Sequence, residues 1–162
     1  MCQSFRAVQS VEQEIIKRGY DTPTIMSAIK RLYQRSWDDV PMSSCHGDLT
    51  LENIIYHDNE FFIFDFLDSF AESWFIDIAK LFQDLIARWS FRHGTVDRNL
   101  ALRLAALRYN IEACIRERYP EALPTIHALY VLALIRVIPY ATDTHERIFI
   151  DGCVSSALNE IL

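Results

Sequence analysis

The strongest constraint on the fold is a pair of short apolar runs, residues 54–56 and 61–64, separated by four polar residues. This pattern is typical of a β-hairpin, in which the second strand returns the chain to the point where the first began. Asn53 precedes the first run, and Asp65 follows the second. We therefore expect Asn53 and Asp65 to lie side by side, close to the carboxylate of Asp48.

These side chains suit phosphoryl transfer. Proteins usually hold Mg²⁺ with one or two oxygen ligands, while phosphates and waters complete its coordination. A separate aspartate can accept the proton of an attacking hydroxyl. His46, Asp48 and Asn53 have the spacing of the kinase catalytic loop H-R-D-x-x-x-x-N, and Asp65-Phe66-Leu67 stands where D-F-G would.

Glycine at position 47, in place of arginine, indicates one group of kinases. The His-Gly-Asp at 46–48, the Ile-Phe-Asp-Phe at 63–66 and the Asp-Ile-Ala at 77–79 resemble the aminoglycoside phosphotransferase and choline kinase family. These are small-molecule kinases with a protein-kinase-like fold. The resemblance covers about residues 40–90 and extends elsewhere only as a helical pattern.

The resemblance implies a role for each residue. Asp48 is expected to be the catalytic base, and Asn53 and Asp65 are expected to hold Mg²⁺. His46 and Asp77 are expected to support the loop structurally. ATP is the expected co-substrate, and the acceptor is expected to be a small-molecule hydroxyl of an aminoglycoside, choline or a sugar-like compound.

Each of the three central residues also has an ordinary structural explanation. Asp48 could cap a helix or turn, Asn53 could be a turn residue, and Asp65 could be a strand-end carboxylate that faces water. What favours the kinase interpretation is the combination of all three at this spacing. Leu67 departs from the glycine of D-F-G, a position that varies within the family.

Four further polar residues are candidates to contact the substrate or to support the residues that do. They are Asp68, Lys80, Gln83 and Asp84. For the last three, the alternative is an exposed position on the polar face of a helix.

The rest of the chain predicts helices. Apolar residues recur at helical spacing over six stretches, so the predicted fold is α+β and mainly α, with one hairpin. The resemblance implies that this fold is a protein-kinase-like C-terminal lobe. The predicted helices cover residues 4–17, 24–37, 73–93, 96–118, 125–140 and 145–162. The fifth is apolar on nearly all sides, which predicts a buried central helix. The last is predicted to be interrupted near Gly152.

We expect one domain over residues 1–162, with the catalytic loop at 45–53 and the metal-binding segment at 65–68. A glycine-rich phosphate loop is missing, because the four glycines lie far apart in the sequence. We therefore expect the N-terminal nucleotide lobe to be absent and the isolated chain to be inactive. The alternative is a catalytically inactive kinase-like module for binding or interaction. A purely helical regulatory protein would leave the Asp48, Asn53 and Asp65 constellation unexplained.

Charge and apolar content indicate which kinds of partner this protein is expected to have. A net charge of −6 argues against a nucleic-acid-binding protein, which would normally show a basic face. The apolar run at 128–135 is too short to cross a bilayer, so we expect no membrane span and a cytoplasmic location. The face that an absent lobe would leave uncovered is expected to be apolar and to favour a homo-oligomer.

Overall fold

A computed structural model describes residues 3–69, 72–141 and 143–160. These residues form six α-helices and one two-stranded antiparallel hairpin, so the prediction of a mainly helical α+β fold is confirmed. The elements are α1 (Gln3–Arg18), α2 (Pro23–Gln34), β1 (Ile54–His57), β2 (Glu60–Ile63), α3 (Trp74–Leu85), α4 (Arg98–Arg118), α5 (Leu123–Val137) and α6 (Thr144–Glu160).

The hairpin forms where the apolar runs predicted it. Ile54 pairs with Ile63 and His57 pairs with Glu60, so the connecting turn has two residues. Both turn residues, Asp58 and Asn59, have positive φ angles of 50° and 62°. Aspartate and asparagine tolerate this conformation, and it matches the twist of a tight antiparallel hairpin.

The core is built around α5, which is buried on nearly all sides, as the sequence predicted. This helix packs against α3 and α6, and α2 contacts both α5 and α6. Tyr130 and Phe82 are among the largest fully buried side chains. The helices thus build a packed scaffold, and the hairpin is attached to one edge of it.

One long apolar helical window passes a simple test for a membrane span. The window Leu123–Tyr140 has 18 residues and is apolar enough to cross a bilayer by length and composition. It is longer than the run at 128–135 on which the sequence prediction was based. Within the fold 72% of this window is buried, which is the environment of a core helix.

The prediction of a helix over residues 73–93 is wrong at its C-terminal end. Helix α3 begins as expected, since the Ser73 hydroxyl accepts a hydrogen bond from the N–H of Phe75 at 3.3 Å. The helix ends at Leu85, however, and Arg88 adopts a left-handed conformation with φ 59° before a 3₁₀ turn at Trp89–Phe91. No glycine marks this end, so the sequence gives no local signal for it.

The other helix boundaries agree with the predictions to within a few residues. Helix α6 continues through Gly152 without interruption, since a single glycine inside a helix costs only about 1 kcal/mol. The last two residues of the predicted helix, 161 and 162, lie outside the described part of the chain, as do residues 70 and 71.

Candidate functional site

The loop that carries Asp48 is anchored at its start by a carboxylate from α3. Asp77 lies in the first turn of that helix. Its two oxygens accept hydrogen bonds from successive backbone N–H groups, those of His46 at 2.8 Å and Gly47 at 2.9 Å. A bidentate, charge-assisted contact of this kind fixes the orientation of the peptide as well as its position. The start of the loop is therefore tied to the helical core.

The imidazole of His46 joins the loop to the segment after the hairpin. The ring is buried, and its Nε2 lies 2.8 Å from the carbonyl oxygen of Phe64. Since a carbonyl only accepts, Nε2 carries the proton. The other nitrogen, Nδ1, accepts from the N–H of Asp48 at 3.3 Å. His46 is thus a neutral connector between the two segments.

Gly47 is required by close backbone packing. Its φ angle is +86°, which disfavours side chains, and a Cβ at this position would lie 2.0 Å from the carbonyl oxygen of Leu67. The same two segments are joined by a hydrogen bond from the N–H of Leu67 to the carbonyl of His46 at 3.0 Å. The residue that distinguished the sequence motif therefore has a steric reason to be glycine.

The side-chain amide of Asn53 is oriented by Asp48. Its Nδ2 donates to the Asp48 carbonyl oxygen at 2.9 Å. Because that acceptor is a carbonyl, the nitrogen must occupy this side of the amide, and Oδ1 is left on the other. Asn53 also accepts a backbone hydrogen bond from Phe64 at 3.2 Å, which places it across the hairpin from the residue that precedes Asp65.

Asp48 forms an ion pair with Lys80 and interacts electrostatically with Arg136. Its Oδ1 lies 2.8 Å from Nζ of Lys80, which extends from α3. Burial lowers the pKa of the Arg136 guanidinium below its usual range, and the nearby Tyr140 and Asp48 partly offset this effect. The carboxylate of Asp48 therefore pairs with one cation of the helical core and is attracted by a second.

Asp65 has an unusual backbone conformation at the end of the hairpin. Its φ angle is 64°, in the left-handed region, and its side chain is exposed. A non-glycine residue in this region costs roughly 1 kcal/mol or more, although aspartate is one of the residues that tolerates it best. Strained conformations of this kind concentrate at functional sites.

One cavity of about 690 Å³ brings most of the sequence candidates together. Those that line it are Asp48, Asn53, Asp65, Asp68, Lys80 and Gln83. His46 and Asp77 are not part of its lining; they hold the loop from behind.

Asp84 supports the Asp48 loop and does not itself line the cavity. It is fully buried, so it is not an exposed helix residue, and it does not line the cavity. Its Oδ2 accepts from the N–H of Leu51 at 2.7 Å, and its Oδ1 accepts from the N–H and the hydroxyl of Ser90 at 2.9 and 2.6 Å. Asp84 therefore ties the far end of the Asp48 loop and the 3₁₀ turn after α3 to one point on that helix.

Sequence reasoning missed several residues of the cavity. They include Glu52, Trp89, Arg92 and Glu146. Arg92 and Glu146 come from segments that lie 54 positions apart, and they meet through an ion pair of 3.1 Å. No motif links such distant positions, so only the fold could reveal them.

The residues present fit a magnesium site of the kind expected. No group of three His, Cys, Asp or Glu side chains lies close enough to hold a metal within residues 3–69, 72–141 and 143–160. Mg²⁺ does not need one, since one or two protein oxygens suffice when phosphates and water complete the octahedron. The Oδ1 of Asn53 and the carboxylate of Asp65 offer such oxygens in one cavity.

No family model, no curated protein and no solved structure matches this chain. The kinase resemblance therefore depends on the motif residues and on the geometry around them.

Proposed function

We propose that this chain is the C-terminal lobe of a small-molecule kinase with a protein-kinase-like fold. In this proposal it transfers a phosphoryl group from ATP to a small-molecule hydroxyl, with Mg²⁺. The observation that supports the proposal most is that Asp48, Asn53 and Asp65 line one cavity, while Asp77 holds the loop of Asp48 from the core side. Phosphoryl transfer depends mainly on such positioning and on charge.

Asp48 is the general base in this mechanism. It accepts the proton of the acceptor hydroxyl as that oxygen attacks the phosphoryl group. Lys80, at 2.8 Å from its Oδ1, holds the carboxylate in one orientation. The ammonium group also supplies positive charge beside the position where negative charge develops on the transferred group.

Asn53 and Asp65 are the metal-binding residues of the proposal. The hydrogen bond from Asn53 Nδ2 to the Asp48 carbonyl keeps the amide oxygen available for a cation. When bound, Mg²⁺ neutralises charge on the phosphates. Asp68, which lines the same cavity, supplies a further carboxylate.

In this proposal, the residues that hold the phosphates of the nucleotide lie outside these 162 residues. Phosphates are usually cradled by a glycine-rich loop and a strand lysine, and the four glycines of this sequence are scattered. We therefore expect the chain by itself to bind ATP weakly and to show no turnover.

A second candidate function is a non-catalytic binding module on the same scaffold. The Asp48–Lys80 ion pair favours it, because the pair already satisfies the residue that would act as the base. The two functions differ in whether Mg²⁺ couples to nucleotide binding.

Calorimetric titration of the 162-residue chain with ATP, with and without Mg²⁺, tests the proposal. We expect weak binding that requires Mg²⁺ and is lost in Asp65→Ala. The side chain is exposed, so the only expected cost in stability is about 1 kcal/mol, because alanine tolerates the left-handed backbone less well than aspartate does. The exposed Asp21 lies outside the cavity, so Asp21→Ala is the matched control. Metal-independent binding, or binding retained by Asp65→Ala, would contradict the proposed metal site. The isolated chain is also assayed for phosphorylation of sugars, choline and aminoglycosides. Turnover of any of them would show that the residues that bind the nucleotide lie within these 162.

A further inference from the structure

The hairpin presents an unusual amount of apolar surface. It carries more than a third of the large apolar side chains that are exposed in the described residues. We call this set the hairpin patch; its members are Ile55, Tyr56, Phe61, Phe62, Ile63 and Phe64. Together they expose roughly 500–600 Å², the upper end of what a monomeric protein leaves uncovered. Surfaces of this kind mark sites where another molecule binds.

The patch covers both faces of the hairpin. Tyr56 pairs with Phe61, and Ile55 pairs with Phe62. Because successive residues of a strand point to opposite faces, the first pair lies on one face and the second pair on the other. A partner that covers one face would leave the other exposed. A partner strand that lies beside the hairpin would extend both faces at once.

The backbone of the hairpin favours the same mode of binding. In the described part of the chain the sheet consists of β1 and β2, so each strand has one edge without a neighbouring strand. The N–H and C=O groups along such an edge are a template for a further strand. A two-stranded hairpin is only marginally stable by itself, and a third strand stabilises it.

Carboxylates flank the patch at both ends. Asp58 and Glu60 lie at the tip of the hairpin, and Glu52, Asp65 and Asp68 lie at its base. All five are exposed. In the part of the chain that the structure describes, none of them forms an ion pair with a lysine or arginine. The patch is therefore an apolar strip between two negative ends.

The surrounding sequence adds to this charge and indicates the chemistry of the partner. Residues 36–79 contain ten aspartates and glutamates and no lysine or arginine. Like charges repel nucleic acid, an anionic membrane and a second copy of the patch. A basic partner is attracted, and complementary charges also fix the register in which it binds. Since β1 and β2 have four residues each, a matching strand spans roughly 13 Å.

We propose that the hairpin patch is a docking site for an extended protein segment that has an apolar centre and lysine or arginine residues at both ends. The segment adds to the hairpin as a third strand. Its apolar side chains continue the two faces of the patch, and its cations meet the carboxylates at the tip and at the base. This inference does not depend on the proposed phosphotransferase function.

Binding of a labelled peptide to the 162-residue chain tests the site by fluorescence anisotropy, without ATP or Mg²⁺. The probe is the peptide Lys-Lys-Val-Tyr-Val-Ile-Val-Lys-Lys. One control peptide replaces all of its lysines with glutamate. A second control replaces the central valine with proline, which lacks the N–H that a strand donates.

Three variants of the chain locate the binding surface. Glu60→Lys reverses one charge at the tip of the hairpin, outside the cavity. Glu117→Lys makes the same change at an exposed position on α4 and is the matched control. Phe62→Thr removes an exposed ring from the patch and keeps a residue type that suits a strand.

We expect the basic peptide to bind wild type and Glu117→Lys equally. Binding should be about fivefold weaker in Glu60→Lys, which turns an attraction into a repulsion, and about tenfold weaker in Phe62→Thr, which loses apolar contact area. Raising the salt concentration from about 50 to 500 mM should weaken peptide binding, because salt screens opposite charges. Copies of the chain can meet through the patch only by bringing its carboxylates together, so self-association should be weaker than peptide binding and should strengthen with salt.

The inference is overturned if the basic peptide does not bind, or if the acidic or the proline peptide binds as tightly as the basic one. It is also overturned if Glu60→Lys and Glu117→Lys bind the peptide equally, or if the chain forms a dimer that excludes the peptide. Mg²⁺-dependent ATP binding reports separately on the proposed function, so either proposal can fail alone.

Discussion

The loop at residues 46–53 and the hairpin that follows it are adjacent in sequence but are held in different ways. The loop backbone is bound at its start by Asp77 and near its end by Asp84, both from α3. The hairpin pairs with itself, and every strand residue after Ile54 is exposed. The positions of Asp48 and Asn53 therefore depend on a buried helix, and the hairpin is free to present its side chains outward.

The largest effect is expected from Gly47→Ala, which disturbs the loop that is anchored to α3. The new Cβ would lie 2.0 Å from a backbone oxygen, at a residue with φ +86°. Overpacking and the left-handed conformation together should cost about 3 kcal/mol or more of unfolding free energy, measured by urea denaturation. The control is Gly152→Ala, where a Cβ meets nothing within 4 Å; it should stabilise α6 by about 0.5–1 kcal/mol. Equal stabilities of the two variants would show that the loop is not held as described.

Asp77→Asn tests whether the helix positions the site. The substitution keeps one acceptor oxygen but replaces the other, which serves the N–H of His46 or Gly47. We expect a loss of about 1–3 kcal/mol in unfolding free energy, together with weaker Mg²⁺-dependent ATP binding by calorimetry. Asp21→Asn, at an exposed position, should change neither quantity. A stable variant with normal ATP binding would remove Asp77 from the support of the loop.

Phe61→Lys tests the hairpin, whose strand residues after Ile54 are exposed. Phe61 is 70% exposed, beside other exposed apolar side chains of the hairpin. We expect the unfolding free energy to change by no more than about 0.5 kcal/mol. Self-association, measured by analytical ultracentrifugation, should decrease, because contiguous apolar surface favours contact between copies. Tyr109→Lys on α4 alters an equally exposed aromatic residue away from the hairpin and should leave association unchanged. Wild-type protein that stays monomeric at high concentration would argue against this surface as an interface.

The smallest effect concerns pH and the helical core. Burial lowers the pKa of His127 from its usual 6.5, and Glu112, at 3.5 Å, only partly offsets this. Since the unfolded chain then binds more protons, stability is fully present above about pH 6.5 and decreases as the pH falls toward the folded-state pKa. His127→Gln should flatten this dependence in urea titrations between about pH 5 and 7. His145→Gln, at an exposed position, should keep the wild-type slope. An unchanged slope in His127→Gln would assign the dependence to another group.

The sequence predicted the features of this fold that depend on local chemistry. The hairpin was predictable because its apolar runs and the turn at Asp58 and Asn59 are encoded within ten residues. Helix α5 was predictable because it is apolar on nearly every side. The proximity of Asn53 to the residue before Asp65 follows from the hairpin itself.

Features that depend on distant contacts were not predictable. Helix α3 ends at Leu85, and Arg88 soon after it adopts a left-handed conformation. Arginine has no preference for this conformation, so the sequence did not indicate it. Helical periodicity could not show that Gln83 and Asp84 are both buried, or that Asp84 holds Leu51 and Ser90. These partners come from irregular segments that carry no periodic pattern.

The tight turn at the tip of the hairpin is a position where a label could report on molecules that approach the cavity. The Asp58 side chain is 87% exposed, and the hydrogen bonds that anchor the Asp48 loop lie at the opposite end of the hairpin. Exposed loop tips tolerate inserted sequence better than any other part of a fold. A fluorescent or affinity label attached between Asp58 and Asn59 would therefore sit beside the apolar surface of the hairpin without disturbing the cavity.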